Sequence, residues 1–162
     1  MNAVQYSFNE VKAMFDVLIV SEQYYGKSLM ACAYLKELGG KYFTVECAGF
    51  EPGFLNPLVT VIMKLDGFDL SSCNCPHTVF DLFEMGRRFD IVVTVCPKRL
   101  AEKCPDFPGQ RLRLNWRHAD PDKIVESRID RLQQTRITRD NIKADVINFI
   151  EEYEQGKWSA LM

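Results

Sequence analysis

The sequence predicts an α/β fold in which helices cover both faces of a parallel sheet. Short apolar runs alternate with segments of helical periodicity, in the order β-α-β-α-α-β-β-α. The run at 17–20 is apolar without alternation, as expected of a strand that is buried on both faces. The run at 90–95 is apolar and β-branched, which favours another strand. In parallel sheets of this kind, ligands bind beyond the carboxyl ends of the strands.

Composition indicates a soluble globular protein. The 162 residues are 47% apolar and 26% charged, and the formal charge of -2 gives no general attraction to nucleic acid or to an acidic membrane. No apolar run approaches the length of a membrane span, and no secretory signal is visible, so we expect a cytoplasmic protein. Without such a signal, the six cysteines are expected to be thiols rather than a disulfide framework.

The first half of the chain divides into an extension and two strand–helix units. Residues 1–15 are an N-terminal extension, expected to form one short helix that packs against the sheet. The domain proper spans 16–155. Its first strand is followed by a helix that ends at Gly39-Gly40. A second strand runs from 42 to 47 and ends at Ala48-Gly49, before a helix that opens at Asn56-Pro57 and closes at Gly67. Val59, Ile62, Met63 and Leu65 form the predicted buried face of that helix.

The second half contains a third helix, two strands and a long last helix. Thr78 is the predicted cap of a helix that runs to about residue 88, with Val79, Leu82, Phe83 and Met85 facing inward. A loop follows at 96–109, and then a strand at 111–116 with Leu112, Leu114 and Trp116 on one face. After a turn at 118–122, the last helix is predicted over 123–155, and the tail at 156–162 is expected to fray. Its core-facing residues are predicted to be Ile137, Ile142, Val146, Ile147, Phe149 and Ile150.

The turn after the first strand is the strongest candidate for a binding site. Backbone N–H groups converge at a strand-to-helix turn, and the helix dipole attracts an anion there. Lys27 adds a cation and Ser28 a hydroxyl at the start of the helix. The alternative is an ordinary turn in which Ser28 caps the helix. The predicted cradle for a phosphate-sized oxyanion comprises Ser21, Glu22, Gln23, Tyr24, Tyr25, Gly26, Lys27 and Ser28.

Several separated motifs agree with this site. They are the strand–loop–helix at 17–31, Ala48-Gly49, Leu55-Asn56-Pro57, the run at 89–96, Cys104-Pro105-Asp106-Phe107-Pro108-Gly109, Trp116 and Asp120-Pro121. On these motifs the chain resembles the low-molecular-weight protein tyrosine phosphatase superfamily, and within it the thioredoxin-coupled arsenate reductases. The resemblance implies a bacterial, flavodoxin-like, three-layer α/β/α domain with a four-stranded sheet in the order 2-1-3-4. It also implies a hydrolase or a reductase of the arsenic response.

The chain departs from that family where the chemistry would occur. The family loop has a cysteine nucleophile, five further residues, and then an arginine; here these positions hold Ser21 and Lys27. Tyr24 stands where the family has an asparagine. A helix dipole can turn a cysteine into a thiolate at neutral pH, but it cannot ionise a serine. Asp120 matches the phosphatases' proton donor, although an aspartate before proline is also a common turn residue. The three catalytic positions, Ser21, Lys27 and Asp120, are therefore predicted to be degenerate.

The other cysteines leave alternatives open. Cys96 and Cys104 fall in the loop where the arsenate reductases carry their two further redox cysteines, but both also fit ordinary buried thiols. Cys47 ends the second strand near the cradle and is a conceivable substitute thiol. Cys73 and Cys75 with His77 lack a fourth partner at the spacing of a zinc site, which favours structural loop thiols over a metal.

The sequence thus favours an oxyanion-binding pseudoenzyme without cofactor or metal. Its ligand would be phosphate, arsenate or a phosphorylated partner. One alternative is an active phosphatase or arsenate reductase that uses Cys47, Cys96 or Cys104, with thioredoxin as partner if the thiols are active. Another is a nucleotide-binding protein, since the segment from Ser21 to Ser28 lacks only the first glycine of a Walker A motif. The last is a regulatory protein in which Tyr24-Tyr25 form a contact surface.

Overall fold

The computed structural model describes residues 14–23, 26–53, 56–70, 77–117 and 128–161. The predicted extension before residue 14, the turn at 118–122 and the first residues of the predicted last helix lie outside these ranges. One short helix, at Lys98–Ala101, lies within the segment predicted to be a loop at 96–109. In chain order, the elements are β1 (Phe15–Gln23), α1 (Lys27–Gly39), β2 (Phe43–Glu51), α2 (Pro57–Leu65), α3 (Val79–Glu84), β3 (Ile91–Thr94), α4 (Lys98–Ala101), β4 (Leu112–Asn115) and α5 (Arg128–Glu154).

The strands form one parallel sheet in the order β2-β1-β3-β4, which confirms the predicted topology. Val17 of β1 pairs with Val45 on one side and with Ile91 on the other, and Ile91 pairs with Leu112 of β4. All strands run in the same direction, so their carboxyl ends meet at one edge, here called the binding edge. The chain order reverses at β1, which places the β1–α1 turn at the topological switch point.

β1 is buried on both of its faces. Val17 and Ile19 belong to a core cluster that also contains residues of α1, α2 and α5. Leu18 and Val20 belong to a second cluster, on the opposite face, with residues of α3 and α4. A strand between two cores needs apolar side chains at every position, which explains the absence of alternation in this run.

Two helix starts form as their sequences predict. Asn56 caps α2, its side-chain oxygen accepting a hydrogen bond from the Leu58 N–H at 2.9 Å, and Pro57 occupies the first helical position. Thr78 and Asp81 form a capping box at α3, in which each side chain accepts from the other residue's N–H. Both caps satisfy backbone donors that the first turn of a helix leaves unpaired.

α3 is shorter than its apolar pattern predicts. It ends at Glu84 rather than near residue 88, because Gly86 adopts a φ of +73°. The Gly86 N–H donates to the Phe83 carbonyl at 3.1 Å and closes the last turn. The prediction that Phe83 and Met85 face inward is wrong, since they are 43% and 56% exposed. Leu65, at the end of α2, is exposed as well.

α5 buries a narrower stripe than predicted. Ile142, Val146, Phe149 and Ile150 are buried, whereas Ile137 and Ile147 are 50% and 40% exposed. Successive helical residues are about 100° apart, so positions five residues before or after Ile142 point about 140° away from it. The predicted inward orientation of Ile137 and Ile147 is therefore wrong.

The C-terminal segment is anchored rather than frayed. Trp158 is 6% exposed and belongs to the core cluster beneath α1 and α5. Its ring centroid lies 4.7 Å from that of Phe149. The chain reverses after α5 at Gly156, whose φ is +73°. The expectation of a frayed tail is thus wrong for Trp158.

A polar network joins three helical elements at the surface of the first core. The Tyr34 hydroxyl of α1 donates to Asp66 at 2.7 Å, and Lys143 of α5 donates to the same carboxylate oxygen at 3.1 Å. The hydrogen bond from Tyr34 lowers the pKa of Asp66, while burial and Asp66 raise the pKa of Tyr34. The network therefore couples the packing of α1, α2 and α5 to pH.

We expect Asp66→Asn to flatten the acid limb of the stability profile. Because its pKa is lowered on folding, Asp66 contributes stability that is present above its unfolded pKa of 3.8 and is lost as the pH falls through the folded value. At neutral pH the variant should lose about 1 kcal/mol, since Lys143 loses its counter-charge while the amide still accepts from Tyr34. Urea unfolding at several pH values measures this. Glu151→Gln, at an exposed carboxylate further along α5, is the control, and an identical acid limb in Asp66→Asn and the unmodified chain would contradict the assignment.

Candidate functional site

The two ends of the β1–α1 turn are joined by a pair of hydroxyl groups. Ser21, near the end of β1, is buried and pairs in register with Gly49 of β2. Its Oγ donates to the Oγ of Ser28, in the first turn of α1, at 2.8 Å. The structure thus brings Ser21 and Ser28, two residues of the predicted cradle, together at the binding edge.

Gly26, not Ser28, is the N-cap of α1. Glycine has no side chain with which to cap the helix, and the Gly26 carbonyl accepts from the N–H groups of Leu29 and Met30 at 3.2 and 3.3 Å. Ser28 is the second residue of the helix and is fully buried. The alternative in which Ser28 caps the helix is therefore wrong. The positive end of the α1 dipole is directed at the turn, which favours an anion there.

Two opposite charges lie close to the turn and to Cys96. Lys27 is buried at the start of α1, whereas Glu22 is partly exposed near the end of β1. The pKa of the Cys96 thiol is raised to about 11, mainly by burial and also by the Glu22 carboxylate, while Lys27 lowers it. Both side chains therefore act on the same small region, and Glu22 would oppose an anion that Lys27 attracts.

Asn115 fixes the end of β3 next to this region. With its amide nitrogen facing β3, Asn115 donates to the carbonyls of Thr94 and Cys96 at 2.9 and 3.0 Å. The Thr94 hydroxyl in turn donates to the Leu114 carbonyl at 3.3 Å. These bonds extend the β3–β4 pairing to the residue from which the 96–109 segment departs. The sequence prediction did not include Asn115, because nothing in its spacing marks an asparagine at a strand end.

Hydrogen bonds from Arg113 hold the segment that contains Cys104 against β4. The guanidinium of Arg113 donates to the carbonyls of Cys104 and Pro105 at 3.0 and 2.6 Å, and its Nη2 lies 3.4 Å from the Asp106 carboxylate. Burial raises the pKa of Cys104 to about 11, although Arg113 lowers it. In the sequence, the only indication of this role is that the charged Arg113 stands between Leu112 and Leu114 in the predicted strand.

Cys96 and Cys104 are free, buried thiols in the same core cluster. They are not joined in a disulfide in this structure. Cys47, in contrast, is disulfide-bonded, and its partner is not among the described residues. The expectation that all cysteines are thiols is therefore wrong for Cys47, which in this state offers no free thiol as a substitute nucleophile.

Other predicted site residues fall partly outside the described ranges. Asp120, Tyr24, Tyr25, Cys73 and Cys75 lie outside them, and of Gln23 only the backbone at the end of β1 is described. His77 is half-buried just before α3. Among the residues that the structure describes, no group of three His, Cys, Asp or Glu side chains is placed to hold a metal ion. None of the described helices has both the length and the apolar character that a membrane span requires.

Solved structures with the same architecture define the class of fold. An arsenate reductase in an oxidised state matches with a TM-score of 0.71 and 24% identity, over 86% of this chain and 98% of that one. A low-molecular-weight phosphotyrosine phosphatase from Vibrio cholerae matches with a TM-score of 0.67 and 15% identity, over 86% and 97%. The matches also include an arsenate reductase in a phosphate-binding state. The domain therefore has the fold that phosphatases and arsenate reductases of this class share.

Sequence similarity narrows the class to a family. A curated arsenate reductase from Halalkalibacterium halodurans is 30% identical over 125 residues, which are 77% of this chain and 87% of that protein. No protein-family model matches the chain. The chain belongs to the arsenate reductase family, within the low-molecular-weight protein tyrosine phosphatase superfamily.

Proposed function

We propose that this chain is an oxyanion-binding member of its family in which catalysis is lost or reduced. One arrangement carries the proposal: the buried hydroxyl of Ser21 bonds to Ser28 at 2.8 Å, at the position where the resembled enzymes have a nucleophilic cysteine. A serine hydroxyl needs an adjacent general base to attack, because the helix field alone does not ionise it. Lys27 retains the cationic charge at the arginine position but lacks the planar fork that clasps two oxygens.

The proposed ligand is phosphate, arsenate or the phosphoryl group of a partner. Support comes from the buried position of Lys27 at the start of α1 and from the positive end of the α1 dipole, which lies at the turn. The related arsenate reductase in a phosphate-binding state is consistent with this class of ligand. Glu22 is expected to reduce the affinity, since its carboxylate and Lys27 both act on the nearby Cys96 thiol, with opposite sign.

We expect Glu22→Gln to tighten and Lys27→Met to weaken oxyanion binding. Removing a nearby carboxylate should lower the phosphate Kd about 5-fold, and removing the buried cation should raise it at least about 10-fold. Isothermal titration with phosphate and with arsenate measures both effects. Glu37→Gln, an exposed carboxylate further along α1, is the matched control. The cradle proposal fails if the unmodified chain binds neither anion at millimolar concentration while remaining folded.

A thiol-dependent arsenate reductase is the second candidate, because Cys96 and Cys104 are free thiols in one cluster. Oxidation of the pair to a disulfide would release two electrons and two protons, enough to reduce arsenate to arsenite and water. Thioredoxin would then reduce the disulfide. Since the pKa of each thiol is raised to about 11, any such activity should increase with pH across the neutral range. A thioredoxin-coupled assay tests this, and an unchanged rate in the Cys96→Ser and Cys104→Ser variants would exclude the pair.

Two further alternatives have no observation that favours them. The nucleotide-binding alternative lacks an aspartate at the end of β3, where Val95 is followed by Cys96. Failure of ATP with magnesium to bind would remove it. The purely regulatory alternative depends on Tyr24-Tyr25, which lie outside the described residues.

A further inference from the structure

A cavity lies at the sheet edge opposite the binding edge. It has a volume of about 640 Å³, and its walls include the rings of Phe15, Tyr42, Tyr153 and Trp158 together with the carboxylate of Glu154. Phe15 begins β1, six residues before Ser21, so the cavity is about 20 Å from the cradle along the strand. Its volume lies within the range of small-molecule sites, about 300–1,000 Å³.

Three of the wall rings, those of Phe15, Tyr42 and Tyr153, pack against one another. The centroid of Tyr153 lies 4.8 Å from that of Tyr42 and 5.9 Å from that of Phe15, with interplanar angles of 49° and 68°. Aromatic faces carry partial negative charge and attract cations. Lys41 shows this directly, since its Nζ lies 4.9 Å from the centroid of the Tyr42 ring.

Two further features of the cavity wall favour a cation over an anion. The Glu154 carboxylate accepts a hydrogen bond from the Tyr42 hydroxyl at 2.6 Å, and no ion pair joins it to a basic side chain in the part of the chain that the structure describes. Glu154 is also the last residue of α5, a helix of 27 residues whose carboxyl end carries the negative end of its dipole. Aromatic rings, a carboxylate and a helix carboxyl end thus converge on one cavity.

We propose that this cavity binds a small organic cation, an amine or a quaternary ammonium group with an apolar body. Aromatic rings with a carboxylate provide the cation–π and charge interactions that such a group requires. A free anion would meet Glu154 and the negative end of α5. The proposal is independent of the oxyanion cradle, because the two sites share no residue.

The test compares a cation with its neutral isostere. Choline and 3,3-dimethylbutan-1-ol have nearly the same shape and differ in the charge of the head group. We expect choline to produce saturable chemical-shift changes at the Trp158 indole N–H of the full chain, with about 10-fold higher affinity than the neutral alcohol. Equal affinity for both compounds, or no saturable change, would overturn the proposal.

Substitution of Glu154 tests whether the cavity recognises the charge of a ligand or only its apolar surface. Glu154→Gln keeps an acceptor for the Tyr42 hydroxyl and removes the charge, so it should weaken choline about 5-fold and leave the alcohol unchanged. Glu151→Gln, an exposed carboxylate on the same helix outside the cavity wall, should change neither affinity. An unchanged choline affinity in Glu154→Gln would also overturn the proposal. Because Glu154 is exposed, Glu154→Gln should leave the fold intact. Tyr153→Leu, in contrast, would remove a ring that packs against its neighbours.

Discussion

The double variant Ser21→Cys with Lys27→Arg is expected to hydrolyse 4-nitrophenyl phosphate at least about 100-fold faster than the unmodified chain. The positive end of α1 would favour a thiolate at position 21. The Ser28 hydroxyl, now 2.8 Å from the Ser21 oxygen, would donate a hydrogen bond to that thiolate. An arginine at position 27 would supply the two parallel N–H donors that a phosphoryl group accepts.

The choice of substrate isolates the nucleophile from the proton donor. A nitrophenolate departs readily without protonation, so this assay does not depend on the role of Asp120. Adding Asp120→Asn to the double variant and testing a poorer leaving group would then measure that role separately.

Two controls distinguish a restored nucleophile from a general change in the loop. Ser21→Ala with Lys27→Arg has the same cationic fork and no nucleophile, so it should remain inactive. Ser21→Cys alone should show an intermediate rate. If the double variant binds phosphate and stays folded but is as inactive as the alanine control, then the surrounding loop no longer supports attack, and the loss of catalysis would not lie in these two side chains alone.

Phe149→Ala is expected to lower the free energy of unfolding by about 3–5 kcal/mol. Phe149 is almost fully buried on α5 and is the centre of an aromatic cluster. Its centroid lies 5.1 Å from that of Phe43, 5.9 Å from that of Trp116 and 4.7 Å from that of Trp158. Truncation would leave a cavity between β2, the residue that follows β4 and the C-terminal segment, which the surrounding backbone cannot close.

The matched control is Ile147→Ala on the same helix. Ile147 is 40% exposed, so its truncation should cost less than about 1 kcal/mol. Urea unfolding followed by tryptophan fluorescence measures both values. Similar losses for the two variants would mean that α5 does not present the face described above.

The sheet was predictable because its pattern is local. The uninterrupted apolar run at 17–20 and the β-branched run at 91–95 each indicate a strand with cores on both sides, and the caps at Asn56 and Thr78 depend on residues only a few positions apart. The inward face of α5 was predictable from helix geometry, because Val146 and Phe149 lie within about 40° of Ile142, whereas Ile137 and Ile147 lie about 140° from it. Apolar character alone assigned all of these residues to the inward face and therefore gave too wide a stripe.

The structural features that could not be predicted from the sequence depend on contacts between residues that are distant along the chain. Trp158 is a single aromatic residue in a polar segment, and its burial depends on the space beside Phe149. The disulfide of Cys47 depends on which cysteine lies near it in space. At the candidate site, the loop from Ser21 to Ser28 could be found from its strand–turn–helix pattern. Asn115 could not, because its role appears only when β4 lies beside β3.

The hydrogen bonds of Arg113 should make the neighbouring segment resistant to proteolytic cleavage. The segment at 104–110 contains no regular strand or helix, yet Arg113 holds the carbonyls of Cys104 and Pro105 and lies 3.4 Å from the amide oxygen of Gln110. A protease must draw several residues of extended backbone into its cleft, which here requires breaking these bonds together. The segment should therefore resist nicking as long as β4 remains paired, and Arg113→Leu should turn it into an early cleavage site.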